Sequence, residues 1–149
     1  MDKQLNPIWI VDDDTEDHEV ITEIFSEMKC EHPLVLFSTG EQLLNRLEDA
    51  HEAPFMIISD LNLPKMSGFE LREGMLRTPS NKFHSVPFIF WSTTASDTQV
   101  KEAFKLRAHG FFLKERTFGL WKATLVKIID YWTSSLMPPR EDRPDEAML

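Results

Sequence analysis

The chain has one cysteine, Cys30, among its 149 residues. A single thiol cannot form an internal disulfide, which fits a reducing compartment. No Cys/His cluster that would suggest zinc surrounds it, and Cys30 reads as a small residue near a helix end. Long hydrophobic runs are also missing. The longest, such as Phe88 to Trp91, reach four or five residues, whereas about 20 are needed to cross a bilayer. The first residues carry no signal-peptide pattern, so a cytoplasmic location is expected. Basic residues are scarce: 16 Lys and Arg stand against 25 Asp and Glu, and the net charge is -9 with no concentrated basic patch. Such a chain repels nucleic acid. Neither nucleic acid nor a membrane is expected as a partner. There is no solenoid-type repeat and no low-complexity stretch.

What is present reads as one domain, long enough to bury a sizeable core. Apolar content of 42% and charged content of 28% are ordinary for a globular protein. Five short apolar runs look like strands: Pro7 to Val11, Leu34 to Phe37, Phe55 to Ile58, Pro87 to Trp91 and Gly110 to Leu113. Between them lie helical patterns. Ile21, Ile24, Phe25 and Met28 recur at i, i+3, i+4 and i+7, with Asp14 as a cap and Asp17 near capping-box spacing. Leu43, Leu44 and Leu47 mark a second helix, and Leu71, Met75 and Leu76 a third. In the fourth, Val100, Ala103, Phe104 and Ala108 are expected to face inward. The last has the clearest period: Phe118, Trp121, Leu125, Ile128, Ile129 and Trp132. Five alternations of strand and helix predict an α/β fold, a five-stranded parallel sheet with helices on both faces. A folded domain is expected over residues 1–136, with a charged, mobile tail over 137–149.

Chemistry-bearing residues stand where the strands end. The first strand ends at Asp12-Asp13, the third at Asp60, the fourth at Ser92 and the fifth at Lys114. In a parallel sheet these ends point the same way, and ligands bind there. Clustered carboxylates repel one another, and a divalent cation relieves the repulsion. Hard oxygen ligands favour Mg²⁺ and leave coordination positions open to phosphate oxygens. Asp60 could then attack a phosphoryl group, with the cation and Lys114 neutralising charge and the Ser92 hydroxyl donating to an oxygen. The plainer alternatives are an acidic helix start at Asp12-Asp13-Asp14, a solvated lysine at the sheet edge, and a capping role for Ser92-Thr93-Thr94, where Thr94 or Ser96 is preferred as the cap. His18, His32, His51, His84 and His109 are scattered and take no metal or catalytic role.

The chain resembles response-regulator receiver domains, the CheY-like group with strand order 2-1-3-4-5. The resemblance rests on V-D-D at 11–13, D-L-N-L-P-K-M-S-G at 60–68, P-F-I-F-W-S at 87–92 and F-F-L-K at 111–114, in the family's order and spacing. It implies that Asp60 is the phospho-acceptor, supplied by a sensor histidine kinase or a histidine phosphotransfer protein. It implies Mg²⁺ held by Asp13, Asp60 and the main-chain carbonyl of Asn62, with Asp12 helping. It makes Ser92 and Phe111 a switch pair that remodels the face of the fourth helix, fifth strand and fifth helix. The expected protein is a stand-alone response regulator, not an enzyme beyond the making and loss of its own aspartyl phosphate.

Three features depart from that family's pattern. Glu115 replaces the usual proline after Lys114, Phe111 lacks the hydroxyl of the commoner tyrosine, and the connection at 78–85 is long. With the D-L-N-L-P-K string and the D-Y-W-T-S-S-L-M-P-P ending, the missing proline and the long connection resemble single-domain regulators partnered with bacterial phytochrome kinases. In such proteins the chain end can help form a homodimer, here through Trp121, Tyr131 and Trp132, although burial in the domain's own core suits Trp121 better. Two other functions fit the same residues less well. One is a phosphorylation-independent interaction module, which need not keep all five site residues. The other is a Mg²⁺-dependent aspartyl phosphatase, which would place an acid where Asn62 stands.

Overall fold

A computed structural model of the chain describes residues 5–49, 53–78 and 83–137. Residues 138–149, nearly all of the expected tail, and residues 79–82 of the long connection lie outside the described residues. The elements alternate without exception: β1 (Ile8–Val11), α1 (Thr15–Glu27), β2 (Leu34–Phe37), α2 (Gly40–Asp49), β3 (Met56–Ser59), α3 (Gly68–Leu76), β4 (Phe88–Ser92), α4 (Asp97–Lys105), β5 (Gly110–Leu113) and α5 (Phe118–Ser134). All strand pairs are parallel, in the order β2-β1-β3-β4-β5. The expected fold class is the observed one. No helix among the described residues is long and apolar enough to cross a membrane.

The strands read as continuous apolar runs because both sheet faces are covered. Period-two alternation then divides their side chains between two cores. Trp9, Val11, Ile57, Phe88 and Phe90 point to α2, α3 and α4, where Leu43, Leu47, Leu71, Met75 and Ala103 meet them. Ile8, Ile10, Met56, Ile58, Ile89 and Trp91 point to α1 and α5, where Ile21, Ile24, Phe25, Leu125, Ile128 and Ile129 meet them. The sheet order places β1 beside β3, so the direction of winding reverses between them. That reversal opens the crevice beyond Val11 and Ser59, which are register partners.

Local signals set the helix starts. Asp14 caps α1 by accepting from the Glu16 N–H, and Ser67 and Ser96 form capping boxes with Glu70 and Gln99. Ser96 is therefore the cap of α4. Gly68 opens α3 where nothing larger fits, since a Cβ there would lie 2.4 Å from the Asp60 carbonyl oxygen. This close approach brings the start of α3 against the end of β3.

The inward assignment of Phe104 fails, and Phe118 of the last helix's period also stays outside the core. Phe104 is 53% exposed and Phe118 is 37% exposed. Only Ala103 of α4 is fully buried, so the helix buries a stripe too narrow to include its neighbour Phe104. Asp17 does not complete a capping box on α1. Its carboxylate turns instead toward the sheet, to a partner described below.

Candidate functional site

Each strand along the crevice delivers one polar group at its carboxyl end. Asp12 follows β1 and is 1% exposed; Asp13 beside it is open to solvent. The Asp60 backbone N–H donates to the Val11 carbonyl at 3.0 Å, continuing the sheet ladder one residue past β3. The Lys114 N–H donates to the Ser92 carbonyl at 2.7 Å, which fixes the two remaining strand ends against each other.

The Lys114 ammonium is the centre of the arrangement. It donates to Asp12 Oδ2, to Asp60 Oδ2 at 2.9 Å and to Asp17 Oδ2 at 3.2 Å. Its three N–H donors thus meet three carboxylates. Burial opposes its charge, but the carboxylates of Asp12 and Asp60 outweigh that and hold the amine above its ordinary range. Asp12 shows the opposite balance. Burial pushes its carboxyl up to about 6, against the pull of Lys114. Its second oxygen accepts the Asp14 N–H at 2.9 Å, and its backbone carbonyl lies 2.6 Å from His18 Nε2.

The Asp60 carboxylate is oriented at both oxygens. Oδ1 accepts the Asn62 N–H at 3.1 Å, which folds the loop back over the strand end, while Oδ2 faces Lys114. Asp12, Asp13 and Asp60 each offer a carboxylate oxygen, all within 4.8 Å of one another. An octahedral cation with oxygen ligands at about 2.1 Å can bridge that span after small side-chain rotations. The all-oxygen donor set fits a hard divalent cation and leaves room for ligands from solvent or phosphate.

Ser92 is fully buried, and its hydroxyl accepts the Thr94 N–H at 3.3 Å. Phe111 is half-buried with its ring 6.0 Å from that of Phe90. The structure therefore brings Asp12, Asp13, Asp60 and Lys114 into one cluster, with Asn62 at its rim. Ser92 is tied to it through the main chain, and Phe111 packs at the edge of the core on the α2, α3 and α4 side.

Several contributors were not visible in the sequence. The spacing of Asp17 suits a capping box, and the further signal it carries is an acid in the first turn of the helix that follows Asp12-Asp13. The rings of Trp91 and Trp121 also flank the ammonium, with Lys114 Nζ 5.4 Å and 5.6 Å from their centroids. Trp121 also donates its indole N–H to the Glu115 carbonyl. Here a bond from α5 holds the loop that the resemblance would have shaped with proline. Trp121 is half-buried and stands edge-to-face on Trp91 at 4.8 Å.

The family model of the response regulator receiver domain matches residues 8–125, and the chain belongs to that family. It is 25% identical over 130 residues to the probable methanogenesis regulatory protein FilR2 of Methanothrix harundinacea, covering 84% of this chain and 82% of that protein. It is 23% identical over 147 residues to the response regulator Rcp1 of Synechocystis, covering 93% and 99%. The Mn²⁺-bound structure of Rcp1 superposes with a TM-score of 0.78 at 21% identity, over 90% of this chain and 99% of that one. The phosphorylated cyanobacterial phytochrome response regulator RcpA superposes with a TM-score of 0.81 at 21% identity, over 91% and 99%.

Proposed function

We propose that this protein is a phosphorylation switch in which Asp60 accepts a phosphoryl group from a sensor histidine kinase or a histidine phosphotransfer protein. The observation that carries this reading is one ammonium, Lys114, bonded to both the Asp60 nucleophile and the buried Asp12, with Asp13 open beside them. An Asp60 oxygen attacks the phosphorus of the donor's phosphohistidine. The O–P bond forms, the P–N bond breaks, and the departing imidazole takes up a proton. Asp12, Asp13, Asp60 and the Asn62 main-chain carbonyl would hold Mg²⁺. When bound, this cation supplies positive charge beside the transferring phosphoryl oxygens. Lys114 also neutralises phosphoryl oxygens, and the Ser92 hydroxyl leaves Thr94 to donate to one of them. Phe111 then repacks toward the space that Ser92 vacates, which alters the surface of α4, β5 and α5.

The chain makes and loses its own aspartyl phosphate and does not turn over a separate substrate. The match to the response regulator Rcp1, over 99% of that protein, supports a regulator that acts by protein contact. The likeness to RcpA, a phytochrome response regulator, supports a phytochrome-linked kinase as donor. The exposed Tyr131 and Leu136 at the end of α5, beside Trp132, supply an apolar surface for a homodimer.

The test is intact mass after incubation with Mg²⁺ and a small acyl phosphate. One added phosphoryl group is expected, absent in Asp60→Asn and absent without Mg²⁺. No added mass, together with no binding of beryllofluoride, would overturn the reading in favour of a phosphorylation-independent interaction module.

A further inference from the structure

Three carboxylates, Asp12, Asp17 and Asp60, meet a single ammonium, and the proposed function leaves Asp17 without a role. Asp17 projects from the first turn of α1 and ends 3.2 Å from Lys114 Nζ. Its contact is the longest of the three, since Asp60 lies at 2.9 Å and Asp12 closer still. Asp17 is also the most solvated of the three partners, with its side chain 23% exposed against 13% for Asp60 and 1% for Asp12. The rings of Trp91 and Trp121 flank the ammonium, so its freedom is to redistribute bonds among its acceptors.

The lysine has three N–H donors and all three are taken. A phosphoryl oxygen on Asp60 draws the ammonium toward it, and where the Asp60 acyl oxygen keeps its own N–H one of the other two carboxylates must give way. Releasing Asp12 would strand a charge in the interior, which is strongly unfavourable. Releasing Asp17 returns a partly exposed carboxylate to water. We infer that Asp17 is a positioning residue that holds Lys114 in the resting site and competes with the phosphoryl group for it. This rests on the receiver chemistry proposed above. Two opposed consequences follow. Asp17 weakens the site's hold on a phosphoryl group, and its negative charge strengthens the hold on a divalent cation.

The experiment compares wild type, Asp17→Asn, Asp17→Ala and Glu16→Gln by intrinsic tryptophan fluorescence, to which Trp91 and Trp121 beside the ammonium contribute. Mg²⁺ is titrated first, then beryllofluoride at saturating Mg²⁺. Both Asp17 variants are expected to bind beryllofluoride about threefold more tightly, the scale of one partly exposed ion pair, and Mg²⁺ about twofold more weakly. Glu16→Gln removes the same charge from an exposed neighbour with no contact to Lys114 and is expected to leave beryllofluoride affinity unchanged. A merely structural role for Asp17 would weaken both ligands. Unchanged or weaker beryllofluoride binding in the Asp17 variants, or an equal gain in Glu16→Gln, overturns the competition and leaves the receiver reading standing. Failure of the wild type to bind beryllofluoride at all removes both.

Discussion

Two buried cations sit at opposite ends of the sheet, and their surroundings differ in kind. Lys114, beyond the carboxyl end of β5, faces three carboxylates. Arg72, on α3 and 1% exposed, meets no carboxylate among the described residues. Its Nε donates to the Leu106 carbonyl and its Nη2 to the Arg107 carbonyl, both at 2.9 Å, and its guanidinium stacks 5.0 Å from the centroid of Phe88. Those carbonyls close the end of α4, where a positive charge suits the helix dipole. Burial, then the charge of Arg107, lower the Arg72 pKa to about 10, so it stays charged at neutral pH. One pole therefore has an excess of negative charge and the other an excess of positive charge. Arg72 completes a joint between α3 and α4. The Lys114 pole is left short of cation, which is the condition for binding one.

This contrast is open to a direct test of stability. Lys114→Met leaves the buried Asp12 facing Asp17 and Asp60 with no counterion, and the expected loss is about 3–5 kcal/mol. Urea unfolding in chelator measures it. Added Mg²⁺ is expected to stabilise the variant more than it stabilises wild type, because the cation restores the missing positive charge. Arg72→Met keeps a long apolar side chain against Phe88 but orphans two carbonyls, and the expected loss is about 2–3 kcal/mol. Mg²⁺ should recover none of that loss. Equal Mg²⁺ responses in the two variants would break the distinction between a site waiting for a cation and a finished structural joint.

The two poles were also unequally legible in the sequence. Asp12, Asp13, Asp60 and Lys114 stood out because each ends an apolar run, and the direction of parallel strands gathers such ends without knowledge of any side-chain contact. Sheet order came only with the resemblance to receiver domains that the motifs at those ends carry. Arg72 was invisible, since an arginine within a helical pattern reads as solvated unless its partners are known. Those partners, Leu106 and Arg107, lie more than 30 residues away in sequence. Asp17 was misread for a related reason. Its spacing suits a local cap, and only the reach of the Lys114 side chain to the first turn of α1 makes the lysine the stronger attraction. Phe104 failed because helical periodicity gives the direction of a face and not how much of it the neighbouring elements cover.

The smallest expected effect reads the charge at the Arg72 pole directly. His109 precedes β5, and its Nδ1 accepts the Phe88 N–H at 3.0 Å, a bond that requires an unprotonated nitrogen. Burial first, then the charge of Arg72, hold its pKa below the ordinary 6.5. The fold thus prefers the neutral imidazole. The contribution is complete above pH 6.5 and is lost as pH falls through that value toward the lower folded-state pKa. Arg72→Met removes the second cause and leaves the first. The His109 ring protons, followed by NMR between pH 7.5 and pH 4.5, should therefore titrate at a higher pH in the variant, with the pKa still below 6.5. An unchanged midpoint would mean that the Arg72 charge is spent entirely on the carbonyls of Leu106 and Arg107. The positive pole would then be as well neutralised by dipoles as Lys114 is by carboxylates, and the asymmetry between the two ends would rest on the acidic cluster alone.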